Sequence, residues 1–115
     1  MYDAYPMISN SVVSNNVSIS YRVIGAGPRD VFLIHGWMVS GAVYDDLIAA
    51  LDTEGLRLVV IDLRGSGRSG RPNDGYSIAQ YAADVLAVAD ALGSRSFVVV
   101  GHSMGGQIAQ WISAT

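Results

Sequence analysis

The sequence predicts an α/β fold in which helices flank a parallel sheet. Two observations lead to this prediction: three short, unbroken apolar runs at residues 31–34, 58–61 and 97–100, and helical apolar patterns between them. Unbroken runs rich in β-branched side chains are typical of strands buried on both faces of a parallel sheet. The alternation of such strands with helices is the pattern of the α/β class.

An antiparallel hairpin is predicted before these strands. Apolar and polar side chains alternate over residues 17–23, as expected of a strand with one buried face. An earlier apolar stretch, residues 8–13, leads into Asn15 and Asn16, and asparagine tolerates the positive φ that a tight turn needs. We expect both strands of this hairpin to lie at the edge of the sheet.

Three helices are predicted from capping residues and apolar spacing. Ser40 is placed to cap the first, at residues 41–51. Its buried face is expected to comprise the apolar side chains Val43, Leu47, Ile48 and Leu51. Ser77 opens a capping box for the second helix, which Gly93 ends. The third helix is predicted to begin near Met104 and to run to the end of the chain.

The amino-acid composition limits the functions that this chain can have. With 50% hydrophobic and 15% charged residues, the chain is expected to bury a core. A net charge of -3 and scattered arginines argue against a nucleic-acid or membrane partner. The absence of cysteine excludes disulfides and cysteine-ligated metals, and we expect neither a metal nor a cofactor. Without a signal-peptide pattern or a membrane-spanning apolar run, the expected location is cytoplasmic.

The sharpest motif is G-H-S-M-G-G at residues 101–106, between the last predicted strand and the last predicted helix. It fits the nucleophile-elbow pattern G-x-S-x-G. A strand that turns at once into a helix forces Ser103 into a strained backbone conformation, and glycine at positions 101 and 105 avoids the resulting clashes. The helix N-terminus then directs free N–H groups at the site. The alternative is a glycine-rich turn with an incidental serine.

Two further segments follow the first and second buried strands. His35, Gly36 and Trp37 follow the first. Residues 62–69, D-L-R-G-S-G-R-S, follow the second, and they overlap a G-x-G-x-x-G pattern typical of dinucleotide sites. We reject that interpretation because the loop continues through residues 71–75 instead of opening a helix. Asp62 and Arg64 are interpreted as a charged pair that braces the loop.

These motifs resemble, in order, those of the α/β-hydrolase family. Residues 35–37 resemble its H-G-x loop, residues 62–69 its D-x-R-G-x-G-x-S loop, and residues 101–106 its elbow. The resemblance covers the chain from Val17 onward and implies the N-terminal part of that fold: an antiparallel hairpin followed by three parallel strands, with three helices. Residues 1–115 would then form a single incomplete domain, without a cap and without the C-terminal strands.

The resemblance also implies roles for particular residues. Ser103 would be the nucleophile, and the backbone N–H groups of Trp37 and Met104 would form the oxyanion hole. The supporting positions would be His35, Gly36, Gly101, His102 and Gly105. Serine at the nucleophile position argues against haloalkane dehalogenases and epoxide hydrolases, which resemble this sequence but use aspartate there. Esterases, lactonases, carbon–carbon bond hydrolases and cofactor-free perhydrolases remain, all with small-molecule acyl substrates.

The family's acid and histidine follow the serine along the chain, and residues 104–115 contain neither. His102 is expected to point away from the serine and His35 to brace its loop. We therefore expect a fragment that is inactive alone and takes its acid and base from elsewhere. One sheet face would be covered by a single helix, so a second chain or self-association is expected to cover it. The alternatives are a non-catalytic hydrolase-like binding protein and an inactive truncated product.

Overall fold

The structure is a computed structural model that describes residues 7–114, with only the backbone at residues 7 and 8. Residues 1–6, in which no signal-peptide pattern is found, lie outside the described residues. The described strands are β1 Met7–Ser14, β2 Val17–Ile24, β3 Arg29–Ile34, β4 Leu56–Ile61 and β5 Phe97–Gly101. The described helices are α1 Asp45–Ala50, α2 Ile78–Ala91 and α3 Met104–Ala114. None of these helices is long and apolar enough to cross a membrane.

All five strands form one mixed sheet, in the order β1-β2-β4-β3-β5. Strand β3 pairs in parallel with β4 on one side and with β5 on the other. The strand order therefore reverses at β3, which is where open α/β sheets place a ligand crevice beyond the carboxyl ends of their strands. The predicted fold class is confirmed.

The hairpin forms with the turn that the asparagines predict. Asn15 and Asn16 have φ values of 46° and 66°, as a two-residue hairpin turn of type I′ requires. Of the two hairpin strands only β1 lies at the edge of the sheet, because β2 also pairs antiparallel with β4, with Tyr21 opposite Ile61. The prediction that both strands lie at the edge is wrong for β2. The alternation of apolar and polar residues shows which face of a strand is exposed to water. It does not show whether either edge of the strand is hydrogen-bonded to a neighbouring strand.

The two faces of the sheet carry separate clusters of buried side chains. On the face covered by α2 and α3, the cluster includes Phe32, Ile34, Val59 and Val85, and the half-buried Phe97 of β5 packs against it. The other face, which α1 covers, has a smaller cluster: Ile24, Leu33, Tyr44, Ile48, Leu58 and Val60. Successive side chains of β3 and β4 alternate between the clusters, as the pleat of a strand dictates. One helix on one face and two on the other agree with the topology expected from the sequence.

Strand β5 is less buried than its apolar sequence predicts. Val98 and Val100 are 48% and 38% exposed, on the face opposite Phe97 and Val99. The prediction of burial on both faces is confirmed for β3 and β4 and wrong for β5. The reason is that α1 has only six residues and covers the central strands without reaching β5.

The first helical segment differs from the single helix predicted at residues 41–51. A 3₁₀ turn, Gly41–Tyr44, precedes α1, and the Ser40 hydroxyl caps it by accepting from the Ala42 N–H at 3.3 Å. The buried side chains are Tyr44 and Ile48, whereas the predicted Val43 and Leu47 are about half exposed. A 3₁₀ turn has three residues per turn instead of 3.6, so the buried positions shift in phase.

The second helix is capped at both ends as predicted, but the capping box is incomplete because the Gln80 side chain bonds to Asn15 and Asp84. The Ser77 hydroxyl accepts from the N–H of Gln80 at 3.1 Å. Beyond the C-terminus Gly93 has a φ of 67°, and the N–H of Ser94 bonds to the carbonyl of Ala89 at 2.9 Å. This pairing is the Schellman arrangement, in which a left-handed glycine lets the last carbonyls find donors.

Candidate active site

Ser103 lies at the junction of β5 and α3 with a left-handed φ of 58°. The flanking glycines allow this turn because the backbone passes very close to them. A Cβ at Gly101 would lie 2.1 Å from the carbonyl oxygen of Gly105, and a Cβ at Gly105 would lie 2.2 Å from that of Ile34. Any side chain at either position would overlap the backbone. The local geometry is therefore that of a strained strand–helix elbow.

The Ser103 side chain is exposed and lies beside the loop that follows β3. A Cβ at Gly36 would come within 3.2 Å of the Ser103 Cβ and 3.7 Å of its Oγ. The two predicted segments, residues 35–37 and 101–106, are thus in contact. Among the described residues, no hydrogen bond from the Ser103 hydroxyl to a histidine or carboxylate is found, so the hydroxyl is available to a ligand.

The amides predicted to form an oxyanion hole belong to Trp37 and Met104. Met104 is the first residue of α3, where an N–H has no acceptor within its own helix. The next two amides are engaged, since Gly105 donates to the His102 carbonyl and Gly106 to the Ser103 carbonyl, both at 2.9 Å. In residues 7–114, the N–H groups of Trp37 and Met104 donate to no protein acceptor.

The His35 ring connects the loop after β3 with the loop after β4. It is fully buried, its Nε2 accepts from the N–H of Leu63 at 2.9 Å, and its Nδ1 lies 2.6 Å from the Gly36 carbonyl oxygen. Nδ1 must therefore carry the proton, and both ring nitrogens are engaged. Burial lowers the pKa of His35, although the Gly36 carbonyl and the charge of Asp62 oppose that shift. The ring is therefore a neutral brace between the two loops.

This brace also sets the direction of the neighbouring amide. The Gly36 carbonyl that His35 holds and the Trp37 N–H belong to the same planar peptide unit. Fixing the carbonyl therefore fixes the N–H, which points the opposite way across a trans peptide. His35 thus fixes the direction of the Trp37 N–H through the Gly36 carbonyl.

Asp62 braces two segments through backbone N–H groups. One carboxylate oxygen accepts from Gly41 at 2.8 Å, and the other from Arg68 at 3.1 Å. Its carbonyl oxygen accepts from the Ser69 hydroxyl, which in turn accepts from the Ser20 N–H at 2.8 Å. The loop is bound back onto β2 and opens no helix, which agrees with rejecting a dinucleotide site here.

Arg64 pairs with Asp84 of α2, so the expected pairing of Arg64 with Asp62 is wrong. Nε and Nη2 of Arg64 contact the two carboxylate oxygens of Asp84 at 2.7 and 2.9 Å, and both side chains are buried. Asp84 also accepts from the Ser14 hydroxyl at 2.7 Å and from the Gln80 amide at 2.9 Å. Asp62 instead accepts from the backbone N–H groups of Gly41 and Arg68, so the two charged side chains have separate partners.

The chain is similar to known proteins over most of its length. A family model described as alpha/beta hydrolase fold matches residues 31–115. The chain belongs to the α/β-hydrolase family. The resemblance inferred from the three motifs is thereby confirmed.

Two curated relatives and a solved structure illustrate the similarity of this α/β hydrolase. The non-heme chloroperoxidase of Burkholderia pyrrocinia is 38% identical over 103 residues, covering 86% of the chain and 36% of that protein. The bifunctional esterase/perhydrolase DCH of Acinetobacter calcoaceticus is 42% identical over 91 residues, covering 76% of the chain and 33% of that protein. The solved structure of an epoxide hydrolase from an endophytic Streptomyces has a TM-score of 0.85 and is 33% identical. The match covers 94% of the chain and 33% of that protein. The chain spans about a third of the length of these curated relatives.

The sequence pointed to neither Tyr44 nor Asp84 as part of the frame of this α/β hydrolase. The buried Tyr44 hydroxyl donates to the Ile34 carbonyl at 2.7 Å, and the His102 N–H donates to the same carbonyl at 3.2 Å. Burial raises the pKa of Tyr44, which keeps the hydroxyl a donor. In the sequence, the signal for Asp84 was a charged residue among the apolar positions of α2, which indicates a buried side chain with a partner.

His102 lies on the elbow with an exposed side chain, and its backbone rather than its ring joins the frame. Within residues 7–114, no group of three or more histidine, aspartate or glutamate side chains is arranged to hold a metal ion.

Proposed function

We propose that this α/β hydrolase supplies the nucleophile and the oxyanion hole of a serine hydrolase that acts on an ester, lactone or similar acyl bond. The observation that carries the proposal is Ser103, exposed at a φ of 58° and in contact with the Gly36 loop. A side chain held in this strained conformation projects its hydroxyl beyond the carboxyl end of β5. The unengaged amides of Trp37 and Met104 belong to the residues that follow Gly36 and Ser103.

The proposed reaction begins with attack of Ser103 Oγ on the acyl carbonyl carbon. A base takes the serine proton, and the carbonyl oxygen becomes an oxyanion that the Trp37 and Met104 N–H groups stabilise. Collapse of the tetrahedral intermediate breaks the bond to the leaving alcohol, which takes the proton. Water then attacks the acyl-enzyme, releases the acid and returns a proton to Oγ.

The base in this mechanism comes from outside residues 7–114. His35 is neutral and uses both ring nitrogens, so it has no free site for the serine proton. A serine without its base is a poor nucleophile, which leaves mainly binding and oxyanion stabilisation. We therefore expect the chain on its own to react slowly and the acid and base to be supplied by further polypeptide.

The relatives favour hydrogen peroxide as a second acceptor of the same acyl group. The Acinetobacter relative is named as a bifunctional esterase/perhydrolase. An acyl-enzyme attacked by hydrogen peroxide instead of water yields a peracid and the free serine, with no change elsewhere in the scheme. Ester hydrolysis and perhydrolysis are thus two outcomes of one proposed intermediate.

Labelling with a fluorophosphonate tests the proposal. Such a probe forms a covalent bond to an activated serine and loses fluoride. Any longer product of the same gene should be labelled rapidly, the 115-residue chain slowly or not at all, and Ser103→Ala in either should abolish labelling. Mass spectrometry of the digested protein identifies the labelled residue.

Ser113→Ala is the matched control because Ser113 lies on the same helix, where its hydroxyl bonds to the Ala109 carbonyl. It should leave labelling unchanged. If the folded chain and the longer product both stay unlabelled, the serine mechanism is refuted and the non-catalytic binding protein is favoured. Labelling that persists in Ser103→Ala would place the nucleophile elsewhere.

A further inference from the structure

Three elements of the candidate site meet at the carbonyl oxygen of Ile34. Ile34 and Gly101 are the last paired residues of β3 and β5, and the next N–H, that of His102, donates to this oxygen at 3.2 Å. The buried Tyr44 hydroxyl donates to the same oxygen at 2.7 Å. A carbonyl oxygen has two lone pairs, so it can accept from both donors. The end of the β3–β5 pairing is therefore held by a side chain from outside the sheet.

The two amides of the proposed oxyanion hole belong to the segments that leave the sheet at this point. Trp37 is three residues beyond Ile34, and Met104 is two residues beyond His102. The first turn of α3 also packs against the Ile34 carbonyl, since a Cβ at Gly105 would lie 2.2 Å from its oxygen. The separation of the two amides therefore depends on how firmly the backbone of Ile34 is held against that of His102.

Without the tyrosine hydroxyl, the end of this pairing would depend on one long hydrogen bond. The 3.2 Å from the His102 nitrogen to the Ile34 oxygen is at the long end of the range for N–H···O bonds. The 2.7 Å from the Tyr44 hydroxyl is typical of an O–H···O bond. Bonds at the ends of paired elements also open more readily than interior ones. The tyrosine thus holds the carbonyl where the pairing itself is weakest.

The segment that carries Tyr44 is fixed by side chains of β2 and of the loop after β4. Asp62 accepts from the Gly41 N–H at 2.8 Å. Arg22 donates to the Gly41 carbonyl at 3.3 Å and pairs with Asp45 at 2.9 Å. These bonds lie at both ends of the 3₁₀ turn. A helix of six residues, such as α1, is too short to be stable without tertiary contacts, so contacts of this kind fix the position of the tyrosine hydroxyl.

We propose that Tyr44 is a positioning residue. Its hydroxyl holds the Ile34 carbonyl at the end of the β3–β5 pairing and thereby sets the spacing of the Trp37 and Met104 amides. The consequence for the reaction rests on the proposed function, because the spacing matters only if an oxyanion binds between the two amides. Tyr44 acts through the backbone and is not a catalytic residue.

Amide hydrogen exchange of the 115-residue chain, followed by NMR, tests the positioning directly. In the parent chain, the His102 amide should exchange as slowly as the amides inside β3, although it lies at the end of the pairing. In Tyr44→Phe, which keeps the ring and removes only the hydroxyl, it should exchange about tenfold faster relative to those amides. General destabilisation would instead speed the exchange of all of them by the same factor. The parent measurement needs no variant and stands even if Tyr44→Phe does not fold.

The effect on the reaction is measured by fluorophosphonate labelling of Ser103. Labelling at increasing probe concentration gives a limiting rate and a half-saturating concentration. Tyr44→Phe should lower the limiting rate about tenfold, since displaced amides stabilise the developing oxyanion less. The half-saturating concentration should change less than about twofold, because the buried Tyr44 is not part of the surface that binds the probe. The 115-residue chain is used, or a longer product of the gene where that reacts faster.

Tyr21→Phe is the matched control for the loss of a buried tyrosine hydroxyl. Tyr21 is buried on β2, which β4 and β3 separate from β5. Among residues 7–114, its hydroxyl has no hydrogen-bond partner. The control should change neither the exchange of the His102 amide relative to β3 nor the labelling of Ser103.

The ways in which the proposal can fail give different results. Rapid exchange of the His102 amide in the parent, or unchanged exchange in Tyr44→Phe, would show that the hydroxyl does not hold the pairing. Unchanged labelling of Tyr44→Phe beside a labelled parent would overturn the positioning role and leave the serine mechanism intact. A parent that stays unlabelled while the exchange results hold would refute the serine mechanism, and with it the role of Tyr44 in the reaction, but not its hold on Ile34.

Discussion

The two faces of the sheet differ in how completely their side chains are covered. On the α2/α3 face, every strand contributes to one continuous cluster, including the edge strands through Val12 and Phe97. On the α1 face, the cluster contains only the middle strands, and Val98 and Val100 of β5 stay about half exposed. Side chains of the same type and the same strand therefore differ in environment. The number of helices that cover a face, rather than the sequence of its strands, therefore determines how many of its apolar side chains are buried.

The largest expected effect concerns the ion pairs on the two faces. Arg64 and Asp84 are buried beside α2, whereas the pair of Arg22 with Asp45 of α1, 2.9 Å apart, is 24% and 39% exposed. Asp84→Ala would leave a buried guanidinium unpaired, and it should lower the free energy of unfolding by about 3–5 kcal/mol. Asp45→Ala should cost less than about 1 kcal/mol. Urea unfolding of both variants measures the difference.

The same two variants can break the comparison. A loss of similar size in both would show that the α1 face is as tightly organised as the other. The Asp45→Ala variant is the control for simple loss of a carboxylate, since it removes the same charge from a solvated position.

Two valines provide a smaller test of the same contrast. Val59 of β4 is fully buried against the α2/α3 cluster, and Val98 of β5 is 48% exposed. Val59→Ala should cost about 2 kcal/mol through lost burial and an unfilled space, and Val98→Ala less than about 0.5 kcal/mol. Thermal and urea unfolding give both values. A large cost at Val98 would mean that another surface covers it in solution.

The smallest effect is the pH dependence contributed by His35 beside the buried Leu63. Burial lowers the pKa of His35 below its ordinary value near 6.5, so the unfolded chain binds its proton more readily than the folded one. Its contribution to stability is present above pH 6.5 and is lost as the pH falls from there toward the folded pKa. The slope is at most about 1.4 kcal/mol per pH unit.

Unfolding measured from pH 7.5 to 5 should show this slope in the parent and a flatter curve in His35→Gln. The window is separate from that of Asp30, whose lowered pKa, due first to its bond with Arg57, affects stability only below about pH 4. Parallel curves in parent and variant would show that the His35 ring does not titrate with unfolding.

Much of this structure could be predicted because local rules dictate it. The turn at Asn15 and Asn16, the caps of α2 and the elbow glycines each follow from backbone conformations that few residues adopt. The turn and the caps depend on short stretches of sequence, whereas Gly105 is also required by its closeness to the Ile34 carbonyl.

The errors came from properties that a local pattern does not encode. The partner of Arg64 is a residue twenty positions away on α2, and only the three-dimensional packing selects Asp84 over Asp62. The 3₁₀ turn that shifted the buried face toward Tyr44 depends on the Gly41 N–H that Asp62 binds. The exposure of Val98 depends on how far a short helix reaches across a sheet.

The His35 brace has a consequence for the order in which the site is built during synthesis. Every hydrogen-bond partner of the ring is present once the ribosome has released Leu63, about forty residues before Ser103 emerges. Because the chain is made from its N-terminus, all the groups that orient the Trp37 amide through His35 are present before the elbow is synthesised. When β5 pairs with β3, Ser103 is placed beside a loop whose brace needs no residue of β5.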